Sequence, residues 1–349
     1  MPEGTPPAAL RLDIDRDALA ANWRTLDRLS GEASAGAAVK ADAYGIGACE
    51  AVPVLHSAGC RDFFVTYVHE AADLIDLVPP AQVALLHGPL RAEDARWAVA
   101  HGVRPVINSL EQAARWIAAG GGLCDLMVDT GINRLGLAMD QLGDPLVAQL
   151  DIDVLHSHLA SSEENVSLNG VQLGRWQDAR RHVPHRRAAL ANSAGIVLGP
   201  DWHGDLTRPG VALYGGVPCA ALASDIRQVA RPMAAIMQVR SLKVGDAVGY
   251  NSTFTARAPM RVGVIALGYA DGYLRCWSNR GVMLSDGREL PVLGRVSMDM
   301  SVIDLAAAPE LVEGDWVEAR YALPLAAAES GLSQYELLTL LGQRFSRSA

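Results

Sequence analysis

The sequence predicts an α/β protein, with an N-terminal (β/α)8 barrel of the TIM type followed by a mostly β C-terminal domain. Its 349 residues are long for one domain. Over the first two-thirds, short apolar runs alternate with helical patterns, as in parallel strands joined by helices. From about residue 232, extended segments separated by turns take over. We therefore assign residues 9–231 to the barrel and residues 232–349 to the β domain.

Eight strands are predicted in the first domain. Helical patterns lie between them, as over 16–29, where Leu19, Trp23 and Leu26 recur at helical spacing. Eight strands separated by helices in a segment of this size fit a closed barrel. An open doubly wound sheet is the alternative, but no G-x-G-x-x-G follows a strand. The predicted strands cover residues 36–40, 62–67, 82–87, 104–108, 124–129, 153–159, 187–192 and 207–214.

Turn and capping signals predict the elements of the second domain. Asp286-Gly287 lies between two apolar runs and indicates a β-hairpin. Residues 260–266 and 295–305 also have the pattern of strands. A capping box that begins at Ser333 predicts a terminal helix over about 334–341.

Composition excludes several classes of function. Half of the residues are hydrophobic, and the net charge is -9 without any basic block, which argues against nucleic acid or an anionic membrane as partner. No uncharged apolar run reaches membrane-spanning length, and the first seven residues lack the pattern of a signal peptide. We expect a cytoplasmic protein.

Cysteines and histidines give no metal or disulfide pattern. The five cysteines are scattered without a C-x-x-C pair, which is typical of reduced thiols. His156 and His158 would face the same side of a strand, but no third histidine or carboxylate accompanies them at short spacing. We expect no metal site.

Lys40 is the first candidate for chemistry. The chain has only two lysines among its 30 cationic side chains, and the other, Lys243, lies in a predicted exposed turn. Lys40 instead ends an apolar strand and enters a glycine-rich turn. An amine can lose its proton and attack a carbonyl, whereas a guanidinium cannot. The position favours a Schiff-base lysine, with a snorkelling lysine at a strand end as the alternative.

Other reactive or small residues lie at or just after the ends of predicted strands, apart from the segment 208–211, which starts the eighth strand. The carboxyl ends of barrel strands form one rim, where barrel enzymes build their sites. Small residues there offer a hydroxyl and backbone N–H groups, which a phosphate needs. Together with Lys40, they predict a pyridoxal phosphate site. These residues are Tyr44, the segment 129–134, His158, the segment 192–195 and the segment 208–211.

Six segments, in order along the chain, resemble alanine racemases. They are Ala-Val-Lys-Ala-Asp-Ala-Tyr-Gly (38–45), Val-Asp-Thr-Gly-Ile-Asn-Arg-Leu-Gly (128–136), Asn-Ser-Ala-Gly (192–195), Arg-Pro-Gly-Val-Ala-Leu-Tyr-Gly (208–215), Gly-Tyr-Ala-Asp-Gly (268–272) and Gly-Arg-Val-Ser-Met-Asp (294–299). The resemblance implies a homodimer that interconverts L-alanine and D-alanine with pyridoxal 5'-phosphate. It implies a role in supplying D-alanine for cell-wall peptidoglycan.

The resemblance also implies a role for each matching residue. Lys40 would hold the cofactor and act as one base, and Tyr269 of the partner subunit would be the opposite-face base. Arg208 would face the pyridine nitrogen, with His158 supporting the network between Tyr269 and Arg208. Arg134 would contact the phenolic oxygen of the cofactor and the substrate carboxylate, and the Met298 N–H would be a second donor to that carboxylate. The phosphate would be bound by Tyr44, Ser193, Gly210 and Val211.

The chain departs from the family pattern at three places, one of which is Ile46, where the family commonly has a histidine. Many members carry a carbamylated lysine two residues before Asp-Thr-Gly, where this chain has Met127. A thioether carries no charge, so a bound anion near Arg134, such as chloride, is one way to hold the arginine. The tyrosine that often ends the family's sequences is missing from the segment 344–349.

Three alternatives remain open. The first is a serine or broad-specificity racemase on the same scaffold, since a methyl and a hydroxymethyl group differ little in binding energy. The second is a non-catalytic pyridoxal phosphate protein, against which the retained β domain with Tyr269 and Met298 argues. The third is a barrel-type amino acid decarboxylase, for which the sequence lacks an acidic pocket pattern and a catalytic cysteine pattern.

Overall fold

The computed structural model describes residues 8–164 and 166–348, the last of them without its side chain. The first seven residues, for which the sequence predicts no signal peptide, and the terminal Ala349 lie outside the described part. Within the described ranges, none of the helices has the length and apolar character needed to cross a bilayer.

The chain forms two compact units. One comprises Asp17–Arg227, and the other comprises residues from Gln228 onward together with the segment up to Arg16. The units differ from the predicted ranges because the first strand, β1 (Leu10–Ile14), pairs antiparallel with residues 230–234. This pairing assigns the start of the chain to the C-terminal unit.

The larger unit contains the predicted parallel barrel, and the fold class is confirmed. Its strands are β2 (Ser34–Ala35), β3 (Ala37–Ala38), β4 (Phe63–Val65), β5 (Val83–Leu85), β6 (Arg104–Ile107), β7 (Leu123–Met127), β8 (Asp151–His156), β9 (Arg187–Ala189) and β10 (Leu206–Thr207). Strands β3 to β9 pair in chain order, and β10 pairs with β2. A parallel bridge between Asn192 and Arg208 joins the end of β9 to the end of β10. The strands are short and largely apolar because both faces of a barrel sheet are buried.

The predicted eighth strand, over 207–214, was wrong in extent. Only Leu206–Thr207 is a strand, and Val211–Tyr214 forms a 3-10 helix. Pro209 lacks an N–H group and cannot continue a strand ladder, so the chain leaves the sheet there. The result is a buried helical turn at the rim.

Helices cover the outside of the barrel. After α1 (Arg16–Leu29), the short element α2 (Lys40–Tyr44) is a left-handed turn at the rim and not a regular helix. The covering helices are α1 and, further along the chain, α3 (Ala48–Ala58), α4 (Val68–Ala72), α5 (Ala92–His101), α6 (Leu110–Ala118) and α7 (Ser167–His182). The range predicted for α1 is confirmed, and its buried face contains Leu19, Trp23 and Leu26. On α7, Trp176 packs into a cluster with Leu159 and Leu190.

The smaller unit is mostly antiparallel sheet, as predicted. Its further strands are β11 (Ala230–Leu242), β12 (Ala247–Val248), β13 (Phe254–Thr255), β14 (Met260–Ile265), β15 (Val282–Ser285), β16 (Arg288–Leu293), β17 (Ser301–Asp304), β18 (Trp316–Ala319) and β19 (Ser346–Ser348), and its helices are α8 (Leu323–Ser330) and α9 (Gln334–Thr339). The hairpin at Asp286-Gly287 is confirmed between β15 and β16. The capping box is confirmed too, since Ser333 Oγ accepts a hydrogen bond from the Glu336 N–H at 3.2 Å.

Candidate active site

The barrel brings the predicted residues of the larger unit to one rim. Lys40 follows β3, Arg134 follows β7, His158 follows β8 and Arg208 follows β10. Their charges act on one another: Arg134 and Arg208 both lower the pKa of Lys40, and all three cations lower the pKa of His158. The carboxyl ends of parallel strands share one edge, which explains the clustering.

Lys40 is half-buried, and its ammonium group is disfavoured there. Burial lowers the pKa of Lys40, the charges of Arg134 and Arg208 lower it further, and Glu70 opposes them. A larger fraction of the amine is therefore neutral at a given pH than for a solvent-exposed lysine. A neutral amine is the form that attacks a carbonyl carbon.

Glu70 fixes the backbone beside Lys40. Its Oε1 accepts a hydrogen bond from the Ala41 N–H at 2.7 Å, and its Oε2 accepts from the N–H groups of Thr66 at 2.5 Å and Tyr67 at 3.2 Å. The carboxylate thus connects the turn after β3 with the turn after β4. Sequence reasoning missed Glu70, since only the pairing of these two strands brings it to Lys40.

The turn that follows Lys40 is left-handed. Ala41, Asp42 and Ala43 each have a φ of 53°, and Tyr44 has a φ of 56°. This conformation costs about 1–2 kcal/mol per residue for side chains with a Cβ, and strain of this kind clusters at functional sites. The turn brings the ring of Tyr44 to 5.0 Å from that of Tyr214.

Ser193, Gly210 and Tyr44 lie against one another at the rim. Ser193 Oγ accepts hydrogen bonds from the N–H groups of Gly210 at 2.9 Å and Ala212 at 3.4 Å. A Cβ at position 210 would lie 2.4 Å from Tyr44 Oη, so only glycine fits. Burial raises the pKa of Tyr44 to about 12, which keeps the phenol protonated and able to donate. Val211 begins the adjoining 3-10 helix. The group can cradle a phosphate.

Arg208 is the buried cation of the rim. Its Nη1 donates to the Ala189 carbonyl at 2.8 Å and its Nη2 to the Ser157 carbonyl at 2.5 Å. Burial lowers the pKa of Arg208 to about 10, against the opposing effect of Asp125. The guanidinium is still protonated near neutral pH.

The histidine that contacts Arg208 is His156. Arg208 Nη1 lies 3.2 Å from His156 Nδ1. For His158, burial and the nearby cations lower the pKa to about 3, so its ring is neutral. Its predicted role stays a prediction. Sequence reasoning weighed His156 only as a metal ligand, and the i, i+2 spacing of the two histidines was the signal that could have pointed to it.

The loop that carries Arg134 is organised by Asp129. The carboxylate accepts hydrogen bonds from the N–H groups of Gly131 at 2.8 Å, Asn133 at 3.1 Å and Arg134 at 3.1 Å. Asn133 has a φ of 55°, a conformation that asparagine tolerates well. The loop therefore holds an exposed arginine in a defined place.

In the smaller unit, Tyr269 and Met298 lie on adjacent turns. The N–H groups of Tyr269 and Ala270 donate to the carbonyls of Ser297 at 3.0 Å and Met298 at 2.9 Å. The guanidinium of Arg275 lies 5.3 Å from the centre of the Tyr269 ring. These contacts fix the phenol on a rigid turn, Tyr269–Asp271.

Comparison with known families finds a matching domain model for each of the two units. The model of the alanine racemase N-terminal domain matches residues 14–218, and that of the C-terminal domain matches residues 229–349. The chain belongs to the alanine racemase family. An alanine racemase of Acidiphilium cryptum is 41% identical over 96% of this chain and 97% of its own length. A catabolic alanine racemase of Agrobacterium fabrum is 40% identical over 98% and 92% respectively.

Solved alanine racemase structures have the same fold. The enzyme from Bartonella henselae, which has covalently bound pyridoxal phosphate, superposes with a TM-score of 0.89 at 35% identity and covers 98% of this chain and 99% of its own. The biosynthetic alanine racemase from Pseudomonas aeruginosa has a TM-score of 0.87 at 32% identity, with the same coverage.

Met127, where many alanine racemases carry the modified lysine, is a buried apolar residue in this chain. Its side chain packs against the turn at Gly136, where an added Cβ would lie 3.0 Å from Met127 Cγ. Met127 therefore packs against this turn and carries no charge. The bound anion near Arg134 stays a prediction.

Proposed function

We propose that the protein interconverts L-alanine and D-alanine with pyridoxal phosphate as cofactor. The observation that carries the proposal is the rim itself, which joins a lysine of lowered pKa, the group of Tyr44, Ser193 and Gly210, and a buried arginine in a chain of the alanine racemase family. The covalently bound cofactor of the Bartonella henselae relative supports the choice of cofactor. We further propose a cytoplasmic role in supplying D-alanine for peptidoglycan.

The residues of the rim fit this cofactor. Position 210 leaves room beside Tyr44 only because it is glycine. Tyr44 Oη, Ser193 Oγ and the N–H groups of Gly210 and Val211 would hold the phosphate, and Lys40 would hold the cofactor covalently. When bound, pyridoxal phosphate acidifies the α-proton of an amino acid by withdrawing electrons from the α-carbon.

Arg208 would face the ring nitrogen of the cofactor. Its Nη1 and Nη2 donate hydrogen bonds to backbone carbonyls of the barrel and to His156. Its Nε makes no hydrogen bond among the described residues. An arginine donates a hydrogen bond without giving up its proton, so Arg208 would leave that nitrogen unprotonated.

Two bases on opposite faces would carry the proton. Lys40 Nζ would remove or return it on one face, and Tyr269 Oη of the partner subunit would do so on the other. Arg134 and the Met298 N–H would hold the substrate carboxylate. This arrangement leads directly to inversion, because the proton leaves from one face and returns to the other.

The test is a racemisation panel. The purified protein is incubated with each enantiomer of alanine, serine and a larger amino acid, and both enantiomers are quantified while the cofactor absorbance is recorded. We expect a yellow protein that racemises alanine fastest. Cofactor absorbance without racemisation would instead favour the non-catalytic carrier, and faster turnover of serine would favour the serine racemase.

A shared site predicts complementation between two inactive variants. Lys40→Ala and Tyr269→Phe lose different halves of the site, so a mixed dimer regains one complete site in which both wild-type residues meet. After subunit exchange, activity should recover to about a quarter of the wild-type value, since half of the dimers are mixed and each has one working site of two.

Subunit exchange is verified with two affinity tags, and each variant exchanged with itself is the control. If the doubly tagged dimers are isolated and remain inactive, the two residues do not belong to sites shared between subunits.

A further inference from the structure

Arg208 is buried without a carboxylate in contact with its guanidinium among the described residues. The two short hydrogen bonds of its Nη atoms go to the carbonyls of Ala189 and Ser157, and a longer one, at 3.5 Å, goes to that of Leu190. Carbonyl oxygens orient a cation but do not neutralise it. A buried charge without a counter-charge is unstable in a protein interior, so a compensating charge is needed nearby.

His156 connects Arg208 to such a charge. Its Nδ1 lies 3.2 Å from Arg208 Nη1, and its Nε2 lies 3.1 Å from Asp125 Oδ2. Arginine only donates, so Nδ1 must accept and Nε2 must carry the proton that it donates to Asp125. Burial and the charge of Arg208 lower the pKa of His156, while Asp125 opposes them, and the ring stays neutral in this tautomer.

The carboxylate of Asp125 is ionised and belongs to a larger buried network. Burial would raise the pKa of Asp125, but the charge of Arg104 and the hydrogen bond to His156 outweigh it and lower that pKa. Arg104 lies 2.8 Å from Asp62 and 2.6 Å from Asp153. Arg187 contacts the same two carboxylates at 2.8 and 2.7 Å. Arg104 Nε also lies 3.6 Å from Asp125 Oδ1. The network thus has three aspartates against two arginines, which leaves one negative charge to balance Arg208.

We propose that His156, backed by Asp125, is a positioning residue that fixes the Arg208 guanidinium and connects it to its counter-charge. The neutral ring separates the two charges, so Arg208 remains a cation free to donate toward a ligand. The inference rests on the proposed function, because Arg208 acts there on the ring nitrogen of the cofactor. It adds Asp125 and His156, on neighbouring strands below the rim, to the residues that determine how the cofactor behaves.

The proposal is tested with two variants and a matched control. His156→Leu removes both hydrogen bonds, and Asp125→Asn removes the charge while keeping the size of the side chain. His203→Leu is the control, since His203 is equally buried in the same unit but bonds the carbonyls of Ser30 and Ile196 at 2.9 and 2.7 Å. Melting temperature, the dissociation constant of pyridoxal phosphate and the pH titration of the cofactor absorbance are measured for all of them.

We expect both test variants to bind the cofactor more weakly, by about 10- to 100-fold, because hydrogen bonds to charged groups contribute that much. The absorbance titration should also shift with pH in both. Lys40, His158 and Arg134 also titrate or carry charge nearby. They are the same in every variant, so a difference in the titration between variants comes from the substituted residue. The control should lower the melting temperature and leave the dissociation constant and titration alone. If Asp125→Asn and His156→Leu alter only the melting temperature, His156 has a structural role and the proposal fails.

A second measurement is made on the wild-type protein and does not depend on activity. Selective 15N labelling of histidine, with His156→Gln used to assign the signal, reports which ring nitrogen carries the proton. We expect His156 with its proton on Nε2, before and after removal of the cofactor. A proton on Nδ1 would overturn the inference. A wild-type protein with this tautomer that neither binds pyridoxal phosphate nor racemises alanine would instead overturn the proposed function alone.

Discussion

The change Lys40→Arg should reduce racemisation by more than about 10,000-fold although it preserves the positive charge. A guanidinium stays protonated and cannot form the covalent link to the cofactor aldehyde, whereas the amine of Lys40 has a lowered pKa. In the wild-type protein, borohydride reduction followed by peptide mass spectrometry should find the cofactor on Lys40.

The chain contains its own control for this experiment. Lys243 is exposed, in a turn fixed by the hydrogen bond from its own N–H to Asp246 Oδ2 at 2.8 Å, so its side chain is free to change. Lys243→Arg should keep full activity and full cofactor content. Recovery of the reduced adduct on Lys243, or of no adduct at all, would contradict the assignment of Lys40.

The lowered pKa of Lys40 also determines how cofactor uptake depends on pH. Only the neutral amine attacks the cofactor aldehyde, so the rate of uptake by cofactor-free protein should rise with pH and level off above the pKa of Lys40. Because burial and the charges of Arg134 and Arg208 lower that pKa, the rise should occur at a lower pH than for an exposed lysine. Arg134→Gln removes one of these charges and should move the rise to higher pH.

The barrel and its rim were predictable because both depend on local patterns. Apolar runs such as Phe63–Val65 identify buried parallel strands from composition alone. Once strands are placed, their carboxyl ends must share an edge, which is why the sequence predicts Lys40 and His158 on the same rim. Arg208 was predicted at the start of the eighth strand, and it reaches this rim because the strand ends at Thr207. Phosphate binding by Gly210 stays a prediction.

The parts that were not predicted depend on tertiary contacts. Glu70 reaches the N–H of Ala41 only because β3 and β4 are neighbours, and His156 faces Arg208 only because of the way the barrel closes. The left-handed turn at 41–44 has no glycine before Gly45, so no local signal announces it. The eighth strand was overextended because the apolar segment Val211–Tyr214 is buried as a 3-10 helix, which composition does not distinguish from a buried strand.

The changes Tyr269→Phe and Tyr269→Ala should each reduce racemisation by about 100- to 10,000-fold, the usual contribution of a positioned acid–base group. The loss should affect proton transfer on only one face of the substrate. Without the phenol, the proton on that face is neither removed nor returned, while Lys40 still serves the opposite face. Tyr335→Phe is the matched control, since Tyr335 is a partly exposed tyrosine of the same unit outside the proposed site.

Exchange of the α-proton with deuterated solvent separates the two faces. In Tyr269→Ala, the enantiomer whose proton faces Lys40, expected from the family resemblance to be D-alanine, should exchange with retention of configuration. L-Alanine should exchange far more slowly, because its proton faces the missing phenol. NMR of the α-proton, combined with chiral chromatography, follows both reactions in one sample. Equal exchange from both enantiomers would mean that a single base reaches both faces, and Tyr269 would then be a substrate-positioning residue rather than a proton carrier.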